Sequence, residues 1–218
     1  VFESKSNIWD DTVTSSAGAV DATRESNLKC DLSEGVTVEF WLQTGSISST
    51  ETDKQVVFDL WNGIIDTTSA EYGRITVELT SSGSPFLVTV LSGTTGYTQQ
   101  SIGSALDQTT LSNWGHYAFS FATGSSLIST KFYKDGTLND TLNAGANIGE
   151  ILNPLEARLG ALIHRPAVST APAGSGKLSG SLDDFRFWKT RRTSKEIGRY
   201  WFTSKLGGGT NTDAANLD

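Results

Sequence analysis

Strict alternation of apolar and polar side chains, in short runs, is the feature that most constrains this chain. In GVTVEFWLQ, Val36, Val38, Phe40 and Leu42 fall on one face and Trp41 on the other, the period of two that a half-buried strand requires. Runs of the same kind recur at KQVVFDLWNG, GRITVELTSS, SPFLVTVLSG, NWGHYAFSFA, SLISTKFYKDG, EARLGALIH and GSLDDFRFWK. Eight or more such runs, punctuated by Gly, Ser, Asn and Asp, predict an all-β chain folded as a sandwich. Phe40, Phe58, Phe119, Phe121, Phe185 and Phe187 are its expected core, because alternation presents each of them to a sheet face.

Local signals sharpen this. FYKDGTL, between Phe132 and Leu138, carries Asp135–Gly136, the two positive-φ residues of a tight hairpin turn. A helical period is clear only in RRTSKEIGRYW, where Thr193 and Glu196 have capping-box spacing and Ile197 and Trp201 share a face. One short helix near the C-terminus is expected. The segments 164–177 (HRPAVSTAPAGSGK) and 206–218 (LGGGTNTDAANLD) are loop-like. With no linker between two cores and no internal repeat, residues 1–205 read as one domain and 206–218 as a tail leading out of it.

Charge and composition bound the function. The formal net charge is -7, with 15 Asp and Glu against 5 Lys and Arg in residues 1–110 and 9 against 12 in the remainder. An acidic surface disfavours nucleic acid. The basic run Arg186, Lys189, Arg191, Arg192, Lys195, Arg199 and Lys205 is interleaved with Phe187, Trp188, Tyr200, Trp201 and Phe202. It reads as a solvated or inter-domain face whose aromatics are core and whose charges stay wet. Cys30 is the only cysteine, so no intramolecular disulfide forms, and it is expected to be a small buried residue. No run approaches the roughly 20 apolar residues of a membrane span. Methionine is absent even at position 1, as expected of a segment from a longer polypeptide.

The order of the motifs carries a resemblance. A strand ending in FW, then WGHYAFSF, KFYKDG, ARLGA and GKLSGSLDDFRFWKTRRTSKEI, resembles the laminin-G-like, concanavalin A-like jelly-roll module from about Ala19 to Ile197. The resemblance implies a two-sheet antiparallel jelly-roll sandwich that hosts lectins and glucanases. The spellings FDLWNG, SGTTGYTQQSIGS and GGGTNTD further resemble laminin-G-like modules of large virion structural proteins of marine tailed phages. That implies a tail-fibre, appendage or capsid-surface parent, hence an extracellular or virion-surface location.

Catalysis finds little support among the residues. Family glucanases carry Glu-x-Asp-x-Glu on one strand, whereas the nearest string here, Glu51-Thr52-Asp53-Lys54-Gln55, lacks the final acid. His116 and His164 have no nucleophile elbow near them; His116 reads as a strand residue with a satisfied hydrogen bond. The resemblance implies a structural calcium between Asp21 and Asp183, with Asp184 as the neighbouring alternative, although Ala22 replaces the expected glycine. The competing reading makes Asp21 a solvated turn residue and has Asp183 bond backbone or pair with an arginine.

A non-catalytic binding or adhesion module contacting carbohydrate, such as a host-surface glycan, is therefore the expected function, with neighbouring domains of the parent as further partners. A structural spacer comes second and a glycoside hydrolase third. Trp41, Trp61, Tyr72, Tyr97 and Trp188 are the aromatics nearest loops or outward faces. Trp61, Trp188, Tyr72 and Tyr97 are the expected ligand contacts, against the alternative that each is packed.

Overall fold

The computed structural model describes residues 2–3, 28–45, 47, 55–81, 83–163 and 176–203. Among these residues eleven strands run in the order β1 (Phe2–Glu3), β2 (Val36–Thr44), β3 (Gln55–Trp61), β4 (Gly73–Leu79), β5 (Phe86–Ser92), β6 (Thr95–Ile102), β7 (Gly115–Thr123), β8 (Leu127–Lys134), β9 (Thr137–Ala146), β10 (Glu156–Leu159) and β11 (Gly180–Trp188). Helix α1 (Gln108–Leu111) precedes β7, and α2 (Ser194–Tyr200) follows β11. The first sheet has the order β1-β10-β3-β4-β5-β6 and the second β11-β2-β7-β8-β9. Every pairing between named strands is antiparallel. The fold is the expected all-β jelly-roll sandwich. Among the described residues no helix is long and apolar enough to cross a membrane.

Phenylalanines join the sheets. Phe86 of β5 meets Phe119 edge-on and Phe132 obliquely, both at 5.2 Å between ring centroids. Phe58 of β3 reaches Phe185 of β11 at 5.4 Å. Phe40, Phe58, Phe119 and Phe121 are fully buried, each worth roughly 1.5–3 kcal/mol of apolar burial. Phe185 and Phe187 are only half-buried, because β11 is an edge strand, but both pack on Phe58.

Their inward aim depends on a bulge. The register slips by one residue between Asp183, opposite Trp41, and Arg186, opposite Glu39, and Asp184 takes φ +46° there. The extra residue resets the alternation. Asp183, Arg186 and Trp188 thus face outward, while Phe185 and Phe187 face the core.

The Asp135–Gly136 turn is as expected: φ is +48° and +76°, and Lys134 pairs directly with Thr137. A Cβ on Gly136 would also collide with the Trp201 indole, so two constraints converge on glycine. Helix α2 begins with the expected capping box, Thr193 Oγ1 accepting from Glu196 N while Glu196 accepts from Thr193 N. The one-turn α1 was not expected; Asp107 caps it, accepting from Thr110 N at 2.8 Å. Cys30 is fully buried, and burial pushes its thiol up, far from reactive thiolate character.

Replacing Phe119 with Ala should destabilise by about 3–5 kcal/mol. Phe185→Ala should cost less, since its site is partly open to water. Urea unfolding of both variants checks the order.

Candidate functional site

The outer face of the second sheet holds most of the chemistry. Cross-strand register sets three rows there: Asp183–Trp41–His116, Arg186–Glu39–Ala118 and Trp188–Thr37–Ser120. Helix α2 lies across it, with Ile197 packed on Ala118 and Tyr133 and Ser194 within 3.1 Å of the Tyr133 hydroxyl.

Glu39 sits at the centre at 0% exposure. Arg192 Nη1 donates to its Oε1 at 2.7 Å, Arg186 Nη1 stands 3.8 Å from Oε2, and His116 Nε2 stands 3.5 Å from Oε2. Burial drives this carboxyl up, but His116 and Arg192 outweigh it and hold it below the ordinary value of 4.5. Arg186 also pairs with Asp184 and donates to the carbonyls of Tyr200 and Thr203. Arg192 donates its backbone N–H to Thr37 Oγ1 at 2.9 Å and stacks over Trp188 at 4.3 Å.

This corrects the reading of the basic run as a wet face. Arg186 and Arg192 are drawn inside because a buried carboxylate without counter-charge would cost several kcal/mol. Arg191, Lys195 and Arg199 are exposed as expected, whereas Phe202, expected in the core, is 64% exposed. Lys205 lies outside the described residues. His116 differs from its expected satisfied state too: it is buried, and neither ring nitrogen meets hydrogen-bond geometry.

The four expected ligand aromatics are not brought together. Trp61 and Tyr72 are buried with Ile163 on the outer face of the first sheet. Trp61 Nε1 donates to Ile64 O, and Arg74 lies over its ring. Beneath them, Arg74 pairs with the buried Asp59, whose Oδ2 also accepts from Ile163 N at 2.7 Å. Tyr97 is buried, its hydroxyl 2.5 Å from Thr130 Oγ1, and Trp188 is half-buried under Arg192. A stacking platform needs an open ring face, which Trp61, Tyr72 and Tyr97 do not offer.

An aromatic margin does lie open beside the Glu39 cluster. Trp201, which caps α2, meets Trp41 at 5.7 Å and His116 at 6.0 Å, and Phe202 stands edge-on to Trp201 at 5.6 Å. Trp41 and Trp201 are half-buried. The sequence signal for Trp41 was its outward parity in β2; nothing local marked its meeting with Trp201, 160 residues away. Trp114, at the head of β7, is also exposed but stands outside this group.

The implied calcium site requires carboxylate oxygens free to ligate. Asp184 does not fit, since both its carboxylate oxygens face Arg186. Asp183 is exposed and accepts from Asp184 N on Oδ1 at 2.7 Å, while Asp21 lies outside the described residues, as do Glu51, Asp53 and His164. Among the described residues no three His, Cys, Asp or Glu side chains cluster as a metal site.

A laminin G family model described as the concanavalin A-like lectin/glucanases superfamily matches residues 14–198. The chain is similar to a heptameric SAP-like pentraxin from Limulus polyphemus at 12% identity and TM-score 0.48, covering 78% of this chain and 70% of that one. It is similar to domains LG4-5 of mouse laminin α1 at 13% identity and TM-score 0.47, covering 76% and 38%. It is also similar to the CBM40 of Ruminococcus gnavus IT-sialidase, bound to α2,3 sialyllactose, at 15% identity and TM-score 0.46, covering 77% and 83%. A search of curated proteins finds no match.

Arg192→Met should destabilise by about 3–5 kcal/mol in denaturant unfolding, because it leaves Glu39 buried with less compensation. A depressed folded-state value means Glu39 contributes its full stability above its unfolded value near 4.5 and loses it as pH falls through the folded one. Glu39→Gln should therefore flatten the acid limb of melting temperature against pH, and an unchanged limb would dissociate Glu39 from acid unfolding.

Proposed function

The chain belongs to the concanavalin A-like lectin/glucanases superfamily, and from that premise we propose that it is a non-catalytic binding module that contacts carbohydrate through the Trp41–Trp201–Phe202 margin. One observation carries the reading: among the described residues, Trp41, Trp201 and the exposed Phe202 form a contiguous aromatic group on the outer face, mounted on the Glu39 cluster across β2 and the end of α2. Indole rings stack on the apolar faces of sugars, and fixed rings lose little freedom when they do so.

The acids support binding over hydrolysis. A retaining or inverting glucanase sets two carboxylates about 5–5.5 or 6.5–9.5 Å apart with room for sugar between them. Glu39 and Asp59, the described acids at 0% exposure, belong to different sheets, and each is tied to arginine. We place the module in a larger extracellular or virion-surface protein; the loop spellings that resemble phage virion modules support the finer part of this placement.

A shallow, wet site gains a stacked ring and a few hydrogen bonds offset by lost water contacts. The isolated chain should bind glycans in the millimolar range or below detection. A clustered form on a biosensor should bind a glycan panel about 10²–10⁴ more strongly through avidity. Phe202→Ala should weaken clustered binding at unchanged melting temperature. Release of reducing sugar would overturn the non-catalytic reading, and a clustered form that binds no glycan and no cell would favour a structural spacer.

A further inference from the structure

We propose that the aromatic margin takes a neutral, hydroxyl-rich sugar and discriminates against anionic ones, with Asp183 as the group that receives the sugar hydroxyls. This rests on the carbohydrate reading above and adds the ligand class and the residue that sets it.

The bulge in β11 places Asp183 directly opposite Trp41 in the antiparallel register, on the same outward face. Paired side chains in this arrangement have Cβ atoms about 4.5–5.5 Å apart, so the carboxylate and the indole project from neighbouring positions on one face. A hexose stacked on that ring presents its equatorial hydroxyls outward at the ring edge. An ionised carboxylate is acceptor-only, so its complement is a donor, and a pair of neighbouring hydroxyls supplies two.

Nearby charges leave this carboxylate uncompensated among the described residues. Asp183 accepts one hydrogen bond there, from Asp184 N. Asp184 takes Arg186, and Arg186 and Arg192 converge on Glu39. Across the margin, Asp135 accepts from His116 N and pairs with Lys134 at 2.6 Å. Arg199 is exposed, but Ile197 and Trp201 face the sheet at i and i+4, so the intervening residue projects from the opposite side of α2. Among the described residues, a sugar carboxylate or sulfate at the margin would thus meet a like charge before it met a free cation. At separations of about 5 Å, that repulsion disfavours the anion by about fourfold at the dielectric of bulk water and by more than about a hundredfold at that of a protein surface. About tenfold is therefore a modest expectation for a wet margin.

Matched conjugates test this. The full chain, clustered on a biosensor, is titrated with neoglycoproteins carrying neutral glucose-, galactose-, mannose- or N-acetylglucosamine-terminated glycans, and with sialylated and sulfated counterparts of the same cores. At least one neutral conjugate should bind, with its anionic counterpart about tenfold weaker and no change on adding chelator. Asp183→Ala should weaken neutral binding at least about fivefold. Asp183→Asn, which keeps the shape and removes the charge, should narrow the neutral-to-anionic ratio; both should melt like the parent, since Asp183 is exposed. Anionic conjugates binding equally or better would overturn the proposal, as would Asp183 variants without effect, or neutral binding abolished by chelator, which would return Asp183 to a metal. Failure of every conjugate would instead overturn the carbohydrate reading itself.

Discussion

A carboxylate buried under the cover of a sheet's outer face needs opposite charge, or its burial costs several kcal/mol. Glu39 holds that position in β2, and the path of the chain after β11 follows from meeting it. Arg186 reaches Glu39 only because the bulge brings it into register, and Arg192 only because the chain doubles back over the sheet after Trp188. Once it has doubled back, α2 lies on Ala118 and Tyr133, and Trp201 lands on Trp41. Buried ion pairs contribute little net stability against an apolar replacement, but they penalise any arrangement that leaves one partner alone. Here the pairing selects one position for a helix too short to be stable by itself.

The first sheet repeats the device. Asp59 in β3 takes Arg74 from β4, Thr76 Oγ1 at 2.8 Å and the backbone of Ile163. The segment after β10 is thereby pinned over Trp61 and Tyr72. Asp59 helps hold the cover of the first sheet as Glu39 does that of the second, and β3 is buried along its whole length. That cover explains why aromatics with outward parity at Trp61 and Tyr72 end as packing rather than as a surface.

Alternation in β2, β4, β7 and β8 was legible because each has one face in the apolar core. The polar strands β6 and β9 were not: they are the last strands of their sheets, and in TGYTQQSI only Tyr97 and Ile102 are buried. Edge strands answer to exposure and solubility as much as to the core, so they lose the periodic signal. The hairpin turn and capping box were legible because short-range geometry alone decides them. The site was legible only in part. The outward parity of Trp41 is local, but which of seven basic residues turn inward depends on Glu39, about 150 positions earlier in the chain. Reading each aromatic by its nearness to loops favoured Trp61 and Tyr97, whose neighbours in space come from distant segments.

The same long-range pairings bear on how this face divides its labour. A group that titrates or transfers a proton needs some freedom from its neighbours, and Glu39, Asp59 and Asp184 have little, each fixed by an arginine. What these pairs confer is rigidity, which favours recognition: rings fixed before a ligand arrives lose less entropy on contact. Trp201 is held on one side by the Asp135–Gly136 turn and on the other by carbonyls of its own segment that accept from Arg186. The bulge that turns Phe185 and Phe187 inward also leaves Asp183 facing out beside Trp41. A single extra residue in β11 thus sets both the packing of the core and the one acid at the margin that no cation neutralises among the described residues.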